Sequence, residues 1–182
     1  AAEYRDNETG MHVIRMSRLS ALLAKEIGLS EQECQLILQA SPMHDVGKIG
    51  IPDDILLKPG KLDGKEWETM KMHPEIGAKI LSGSRSELMQ MAESIALSHQ
   101  ERWDGSGYPY GLKGEEIPLA GRIVAVADVF DALTSKRYYK DAFSVEESMK
   151  IIEDSSGKDF EPRLVEAFKK ALPQMIKIVN EL

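Results

Sequence analysis

Residues 119–135 read LAGRIVAVADVFDALTS and are nearly all apolar. A helix that is apolar around most of its circumference is usually buried, so this stretch predicts the central helix of the fold. Asp128 lies within it, and a buried carboxylate costs free energy unless it is paired or bound to a metal ion. Two explanations are open at this point: an ion pair with an arginine such as Arg122, or a metal site.

The segments on both sides of this stretch also carry helical patterns. Apolar residues recur at helical spacing in EQECQLILQASPMHDVG and in SELMQMAESIALSH. Strand patterns are nearly absent, so we predict an all-α helical bundle, with at most one small hairpin in residues 104–118. Residues of the types that start or break helices mark further boundaries at Asp63, Pro74, Ser144 with Glu147, Pro162 and Pro173.

The length of 182 residues suits one domain with a sizeable core. The first segment is helical almost from Glu3, has no starting cap, and reaches a plausible terminating glycine at Gly28. We interpret this as a helix cut from a longer chain. Residues 1–182 are therefore expected to be a single domain that follows an upstream one.

The composition is ordinary for a globular protein, with 42% apolar and 29% charged residues. The net charge of -7 argues against a general surface for nucleic acid polymers, although clustered basic residues could still bind an anionic substrate. No apolar run approaches the roughly 18 residues of a membrane span, and no signal peptide is visible. The single cysteine, Cys34, excludes an internal disulfide and is most simply a buried apolar residue. These features predict a cytoplasmic protein.

The four histidines stand beside acidic residues or at expected helix ends. A single histidine at a helix end is more often a cap than a ligand. Four of them with three acids, however, make a coherent nitrogen-and-oxygen donor set, which suits Fe, Mn, Zn, Ni or Co better than Ca. The set consists of Glu8 and His12 on one helix face, the adjacent His44 and Asp45, His73 before a proline, His99 at a helix end, and Asp128.

Four stretches together resemble one known family: DNETGMHVIRMS, HDVGKIGIPDDILLKPGKL, HPEIGAKIL and HQERWDGSGYPYGLKGEEIPLAGRIVAVADVFDALTSKRYYK. They are similar to the HD-GYP family, which comprises bacterial phosphodiesterases of cyclic di-GMP within the HD superfamily of metal-dependent phosphohydrolases. The similarity extends from Asp6 to about Leu164. It implies the helical HD-domain fold around a central metal site.

The resemblance also implies roles for individual residues. It makes His44 and Asp45 the HD pair, and it makes Lys48 a phosphate-binding and catalytic lysine beside them. The further metal ligands that it implies are His12, His73, His99 and Asp128, with Glu8 available for an additional metal ion. The substrate contacts that it implies are Tyr108 of the Gly107–Tyr108–Pro109 loop, Asp131, Arg137 and Lys140.

The activity implied by the resemblance is hydrolysis of cyclic di-GMP to linear pGpG, with further hydrolysis to GMP left open. Two divalent transition metal ions, Fe or Mn first and Zn, Ni or Co as alternatives, would activate a hydroxide for attack on phosphorus. Two other functions stay open: a regulatory module that binds cyclic dinucleotides with weakened catalysis, and an HD-type hydrolase of another cyclic dinucleotide. The expected partners are cyclic di-GMP, an upstream sensory or receiver domain and diguanylate-cyclase-type proteins, and a homodimer is left open.

The chain departs from the family pattern beside the metal site. It reads His99–Gln100–Glu101 where the family usually has His-His-Glu. Glutamine offers a neutral oxygen or an amide donor, and neither replaces an imidazole lone pair well for a transition metal. We therefore predict two metal ions, with a third position empty or weakly occupied. The alternative is a third ion held through Glu8 and water.

Overall fold

The computed structural model describes residues 10–135 and 142–181. Within these ranges the chain forms α-helices joined by turns and short 3-10 segments, and the β-type pairing there is limited to one isolated bridge between Ser156 and Phe160. The predicted all-α fold is confirmed, and residues 104–118 form no hairpin. The α-helices are α1 (Gly10–Glu26), α2 (Glu31–Ala40), α3 (Asp53–Leu56), α4 (Gly64–Met70), α5 (His73–Leu81), α6 (Glu87–Ser98), α7 (Leu119–Thr134), α8 (Val145–Asp154), α9 (Pro162–Lys170) and α10 (Leu172–Glu181).

Helix α7 is the buried central helix that its apolar sequence predicts. Ile123, Val124, Val126 and Phe130 are fully buried. The helix packs against α1, α6, α8 and α9, so it is surrounded by the other parts of the bundle. Burial of this much apolar surface is the main force that holds the helices together. Asp128 is thereby held within the bundle, with 24% of its side chain exposed.

Local sequence signals account for where the helices start and stop. Asp63 and Ser144 each form a capping box with the glutamate three residues later, as the sequence predicts. Gly28 has a φ of 88° directly after α1, which is the left-handed conformation that favours glycine at a helix end. Helix α9 ends at Lys170 and α10 begins at Leu172, so the helical region is interrupted next to Pro173, as the sequence predicts.

Two smaller expectations are also settled by the packing. Cys34 is buried, with a relative exposure of 5%, and burial raises the pKa of its thiol. Arg122 does not pair with Asp128: its Nη1 lies 2.6 Å from Glu161 Oε2 and its Nε donates to the carbonyl of Ile117. The pair of Arg122 with Asp128 is therefore wrong. None of the described helices is long and apolar enough to cross a membrane.

Candidate metal centre

Six candidate ligand side chains from separate parts of the fold meet at one point. His12 comes from the first turn of α1, His73 is the first residue of α5, and His99 directly follows α6. Asp128 comes from α7. His44 and Asp45 lie between two 3-10 segments, Ser41–Met43 and Val46–Gly50. Because the chain turns between these segments, the two neighbouring side chains converge, whereas neighbours inside a regular helix would diverge by about 100°.

The Nδ1 atom of each histidine is held by a hydrogen-bond acceptor. In His44 it lies 2.9 Å from the carbonyl oxygen of Ser41, and in His73 it lies 2.8 Å from that of Met70. The Nδ1 atom of His99 lies 3.1 Å from the carbonyl oxygen of Ala96. A carbonyl accepts a hydrogen and cannot donate one, so Nδ1 carries the hydrogen and Nε2 presents its lone pair. This is the usual orientation of metal-binding histidines.

Asp45 lies at the centre of these presented nitrogens. Its Oδ1 is 3.2 Å from Nε2 of His73 and 3.3 Å from Nε2 of His99. Its other oxygen, Oδ2, is 3.3 Å from Nε2 of His44. This carboxylate thus faces His73 and His99 with one oxygen and His44 with the other, an arrangement that suits a bridge between two metal ions.

Asp128 completes the group on the His44 side. Its Oδ1 lies 3.4 Å from Nε2 of His12 and 3.9 Å from Nε2 of His44. The ligand atoms of His12, His44 and Asp128 all lie within 4.8 Å of one another, and so do those of His44, Asp45 and His99. The structure therefore brings together the six described residues that the sequence analysis assigns to the metal site.

The two carboxylates of the site, Asp45 and Asp128, are ionised and mostly enclosed by the protein. Burial disfavours the charged form of Asp45, but the neighbouring imidazoles of His44, His73 and His99 outweigh it and hold the pKa of this carboxyl well below its usual range. The pKa of Asp128 is also lowered, because His12 and His44 outweigh the effect of burial. Burial likewise opposes charge on His44, but Asp45 and Asp128 raise its pKa to about 9. Two ionised carboxylates in a water-poor site attract a cation.

These residues fit a bound transition metal. The Nε2 atoms of His44, His73 and His99 and the Oδ1 atom of Asp45 are buried and have no hydrogen-bond partner among the described residues. Buried polar atoms are rarely left in that state, because each costs free energy. Imidazole nitrogens with carboxylate oxygens are ligands for Fe, Mn, Zn, Ni or Co. A metal centre explains both the burial and the missing partners.

Lys48 lies on the accessible side of this group. Its Nζ is 2.8 Å from Oδ2 of Asp45, and the side chains of both residues are partly exposed, at 17% and 18%. A cation at this position faces any anion that reaches Asp45 from solvent. The placement is compatible with phosphate binding, which remains a prediction.

Tyr108 and its loop form one wall beside His73. The Tyr108 ring centroid is 6.2 Å from that of His73 and 5.9 Å from that of Trp67. Burial raises the pKa of the Tyr108 hydroxyl to about 12, so the group remains a neutral hydrogen-bond donor at physiological pH. The Tyr108–Pro109 peptide bond is cis.

Glu101 holds this loop in place, a role that the sequence analysis did not assign. Its buried carboxylate accepts hydrogen bonds from the backbone N–H of Tyr110 at 2.8 Å and from that of Leu112 at 3.0 Å. The backbone N–H of Tyr108 donates to the carbonyl of Gln100. The position of Glu101 directly before the glycine-rich loop was a signal for this role, since such loops need partners for their backbone amides.

Asp131 lies behind the metal site. Its side chain is fully buried and its carboxylate is held by Arg15 and His12. These partners belong to the protein interior, and the substrate contact that the resemblance implies for Asp131 stays a prediction. Glu8, Arg137 and Lys140 lie outside the described residues, so their assigned roles stay predictions.

Comparison with known proteins identifies the relatives of this chain. The family model described as HD domain matches residues 2–164. The cyclic di-GMP phosphodiesterase response regulator RpfG of Xanthomonas campestris is 50% identical over 181 residues, which are 100% of this chain and 48% of RpfG. A cyclic di-GMP phosphodiesterase of Thermotoga maritima is 55% identical over 169 residues, which are 93% of this chain and 46% of that protein.

Two further similarities concern specificity and fold. The 3'3'-cGAMP-specific phosphodiesterase 2 of Vibrio cholerae is 50% identical over 178 residues, 98% of this chain and 34% of that protein. A solved HD-GYP-type structure, Bd1817 of Bdellovibrio bacteriovorus, superposes with a TM-score of 0.66 at 22% identity and covers 89% of this chain and 51% of that one. This chain thus spans between 34% and 51% of the length of these proteins. Its matched residues and its fold place it in the HD-domain family, in the HD-GYP branch.

Proposed function

We propose that this chain is the catalytic domain of a metal-dependent phosphodiesterase that hydrolyses cyclic di-GMP. The observation that supports it most strongly is the convergence of the histidine Nε2 atoms on Asp45, each with its Nδ1 anchored to a carbonyl oxygen. A set of this kind has no evident purpose in a protein core other than metal binding. The names of the relatives at 50–55% identity supply the substrate.

The residues divide into two groups around Asp45. His73, His99 and Asp45 Oδ1 would hold one divalent ion, and His12, His44, Asp128 and Asp45 Oδ2 would hold the other. Fe and Mn are the first candidates, with Zn, Ni and Co as alternatives. When bound, such ions lower the pKa of water to near neutrality and polarise a phosphoryl oxygen.

The protein's own residues would bind and orient the phosphodiester. Lys48 would neutralise a non-bridging phosphate oxygen as negative charge develops. Tyr108, beside His73, would face the sugar or base and exclude water from that side of the site. Arg137 and Lys140 would supply the remaining positive charge for a doubly anionic ligand, which a protein with a net charge of -7 must gather locally. Cleavage of one phosphodiester bond of the ring gives linear pGpG.

A hybrid cyclic dinucleotide is a second candidate substrate. A relative named as specific for 3'3'-cGAMP matches this chain as well as RpfG does, at 50% identity. Both ligands carry the same two phosphodiester groups, so the metal site and Lys48 would treat them alike. Discrimination between guanine and adenine would have to come from groups around the bases.

The test combines metal analysis with product analysis. The purified protein is stripped, reconstituted with Mn²⁺ or with Fe²⁺ under anaerobic conditions, and incubated separately with cyclic di-GMP and 3'3'-cGAMP. We expect pGpG from cyclic di-GMP and loss of both metal and product in Asp45→Asn, because that variant removes the charge between the two ions. A fully metal-loaded wild type that cleaves neither ligand would contradict the proposal and would favour a regulatory binding module.

The proposed setting is a signalling protein of the bacterial cytoplasm. The chain spans 48% of RpfG, which is named a response regulator, so an upstream receiver or sensory domain is the expected neighbour. Diguanylate-cyclase-type proteins would make the substrate. A second copy of the chain, forming a homodimer, is a further candidate partner.

A further inference from the structure

A buried ion pair lies directly behind His12, on the side away from Asp128. Arg15 donates from Nε to Asp131 Oδ1 at 2.6 Å and from Nη2 to Asp131 Oδ2 at 3.1 Å. Asp131 is fully buried and Arg15 is 9% exposed. Asp131 Oδ2 also lies 2.7 Å from Nδ1 of His12. The roles proposed above leave this arginine unexplained.

We propose that Arg15 and Asp131 are positioning residues that fix the tautomer of His12, and that they thereby decide whether the His12 and Asp128 side of the site binds its metal ion. The inference rests on the proposed metal-dependent function. Neither residue contacts the metal position itself: both act through the imidazole of His12.

The hydrogen-bond inventory of these groups supports the inference. An ionised carboxylate only accepts, so Nδ1 of a neutral His12 must carry the ring hydrogen and Nε2 must present its lone pair. Nε2 faces Asp128 Oδ1 at 3.4 Å. His44, His73 and His99 obtain the same tautomer from backbone carbonyls. His12 depends on a side chain for it, so at this position a substitution can reverse the tautomer.

Arg15 determines how the side-chain amide of an asparagine at position 131 would be oriented. In Asp131→Asn, one of the two carboxylate oxygens becomes an amide nitrogen. The Nε–H of Arg15, which makes the shortest contact of the network, needs an acceptor at the Oδ1 position. Nη2 of Arg15 also donates to Oγ of Ser135 at 2.7 Å, so it keeps an acceptor when the Oδ2 position loses its oxygen. The amide nitrogen is therefore expected at the Oδ2 position, where it faces Nδ1 of His12. It would donate to Nδ1 and move the ring hydrogen to Nε2, which then has no lone pair for a metal.

The tautomer itself can be measured without metal. Long-range ¹H–¹⁵N NMR spectra of metal-free protein with ¹⁵N-labelled histidine distinguish the two neutral forms, and a His12→Gln variant assigns the resonances. In wild type at a pH where the ring is neutral, we expect hydrogen on Nδ1. In Asp131→Asn we expect it on Nε2. Wild-type tautomer in Asp131→Asn would overturn the inference.

Metal binding gives the second readout. With Mn²⁺, we expect two ions and a spin-coupled electron paramagnetic resonance spectrum in wild type. In Asp131→Asn we expect one ion and the six-line spectrum of isolated Mn²⁺. The matched control is Glu161→Gln, which also alters a buried carboxylate, one that is held by Arg122 and Arg163. Two tightly bound ions in Asp131→Asn would contradict the inference.

A double variant separates this role from a merely structural one. In Arg15→Met with Asp131→Asn, the amide is free to rotate and present its oxygen to Nδ1 of His12. We expect the Nδ1–H tautomer and the second Mn²⁺ ion to return, although the buried ion pair is gone. If the double variant keeps the ring hydrogen of His12 on Nε2, as expected for Asp131→Asn alone, then Arg15 does not determine the orientation of the amide. These results also distinguish the inference from the proposed function. If only the proposed function is wrong, wild type still shows the expected tautomer but binds no Mn²⁺ or hydrolyses no cyclic dinucleotide.

Discussion

Gly47 lies so close to His73 that a β-carbon on Gly47 would stand 1.8 Å from the carbonyl oxygen of His73. The same β-carbon would be 2.5 Å from the backbone nitrogen of Gly77. The segment that follows the HD pair therefore touches the first turn of α5 backbone to backbone. This close approach brings His73 to Asp45.

The variant Gly47→Ala is expected to disrupt this contact. Both obstructing atoms belong to the backbone, so relief requires a shift of α5 and with it of His73. Overpacking of this severity should cost about 3 kcal/mol or more, which lowers the melting temperature by on the order of 10 °C. Differential scanning calorimetry and metal analysis would measure the two effects. Gly64→Ala is the control because nothing lies within 4 Å of its β-carbon position, and equal melting temperatures for the two variants would contradict the prediction.

The helices were largely predictable because their signals are local. A capping box at Ser144 or a proline at position 173 acts on its own turn of helix, whatever the rest of the chain does. The apolar sequence of α7 likewise leaves no solvent-facing side, so burial follows from composition alone. That His12, His44, Asp45, His73, His99 and Asp128 lie together was predictable for a different reason, namely that they stand in long motifs in a known order.

The supporting residues of the site could not be predicted in the same way. Arg15 and Asp131 are 116 positions apart in the chain, and no local pattern indicates that they meet. The resemblance implies a substrate contact for Asp131, and no pattern in the sequence shows that its carboxylate is held by Arg15 and His12. No local pattern marks Gly47 either, and only the approach of α5 shows why no side chain fits there.

Glu101→Gln should loosen the loop that carries Tyr108. A glutamine side chain has one acceptor oxygen, so one of the backbone N–H groups of Tyr110 and Leu112 would face an amide donor instead. A buried amide left without a partner costs about 1 to 3 kcal/mol. We expect faster hydrogen exchange at these two amides and a higher KM for the dinucleotide, with metal content unchanged. The exposed Glu115→Gln is the control, and unaltered exchange at both amides would show that Glu101 does not hold the loop.

Lys48→Ala should slow hydrolysis while the metal ions stay bound. A protonated lysine is a poor ligand and a good partner for phosphate, and its Nζ lies beside Asp45 on the open side of the site. Loss of one charge-assisted contact should raise the barrier by about 2 to 4 kcal/mol, on the order of 30- to 1,000-fold in kcat. Single-turnover kinetics on metal-matched samples would measure this. The exposed Lys61→Ala should behave as wild type, and a kcat of Lys48→Ala equal to that of Lys61→Ala would remove the assigned role.

Gln100 should limit the centre to two metal ions. It directly follows His99, a ligand of the first group, and stands where the family usually places a second histidine. An amide oxygen is a weak ligand for a transition metal, so Glu8 would be left without its partner at a third position. We expect two equivalents of metal in wild type, and three in Gln100→His if imidazole is what the third position lacks. Glu8→Ala supplies the matched comparison: it should remove the third ion from Gln100→His and leave the wild-type content at two.

Anomalous scattering at the metal edge would count the ions directly, and three fully occupied positions in wild type would show that glutamine and water suffice. If the third ion assists the second hydrolysis, wild type should stop at pGpG and Gln100→His should release GMP, which product chromatography on the same samples would reveal.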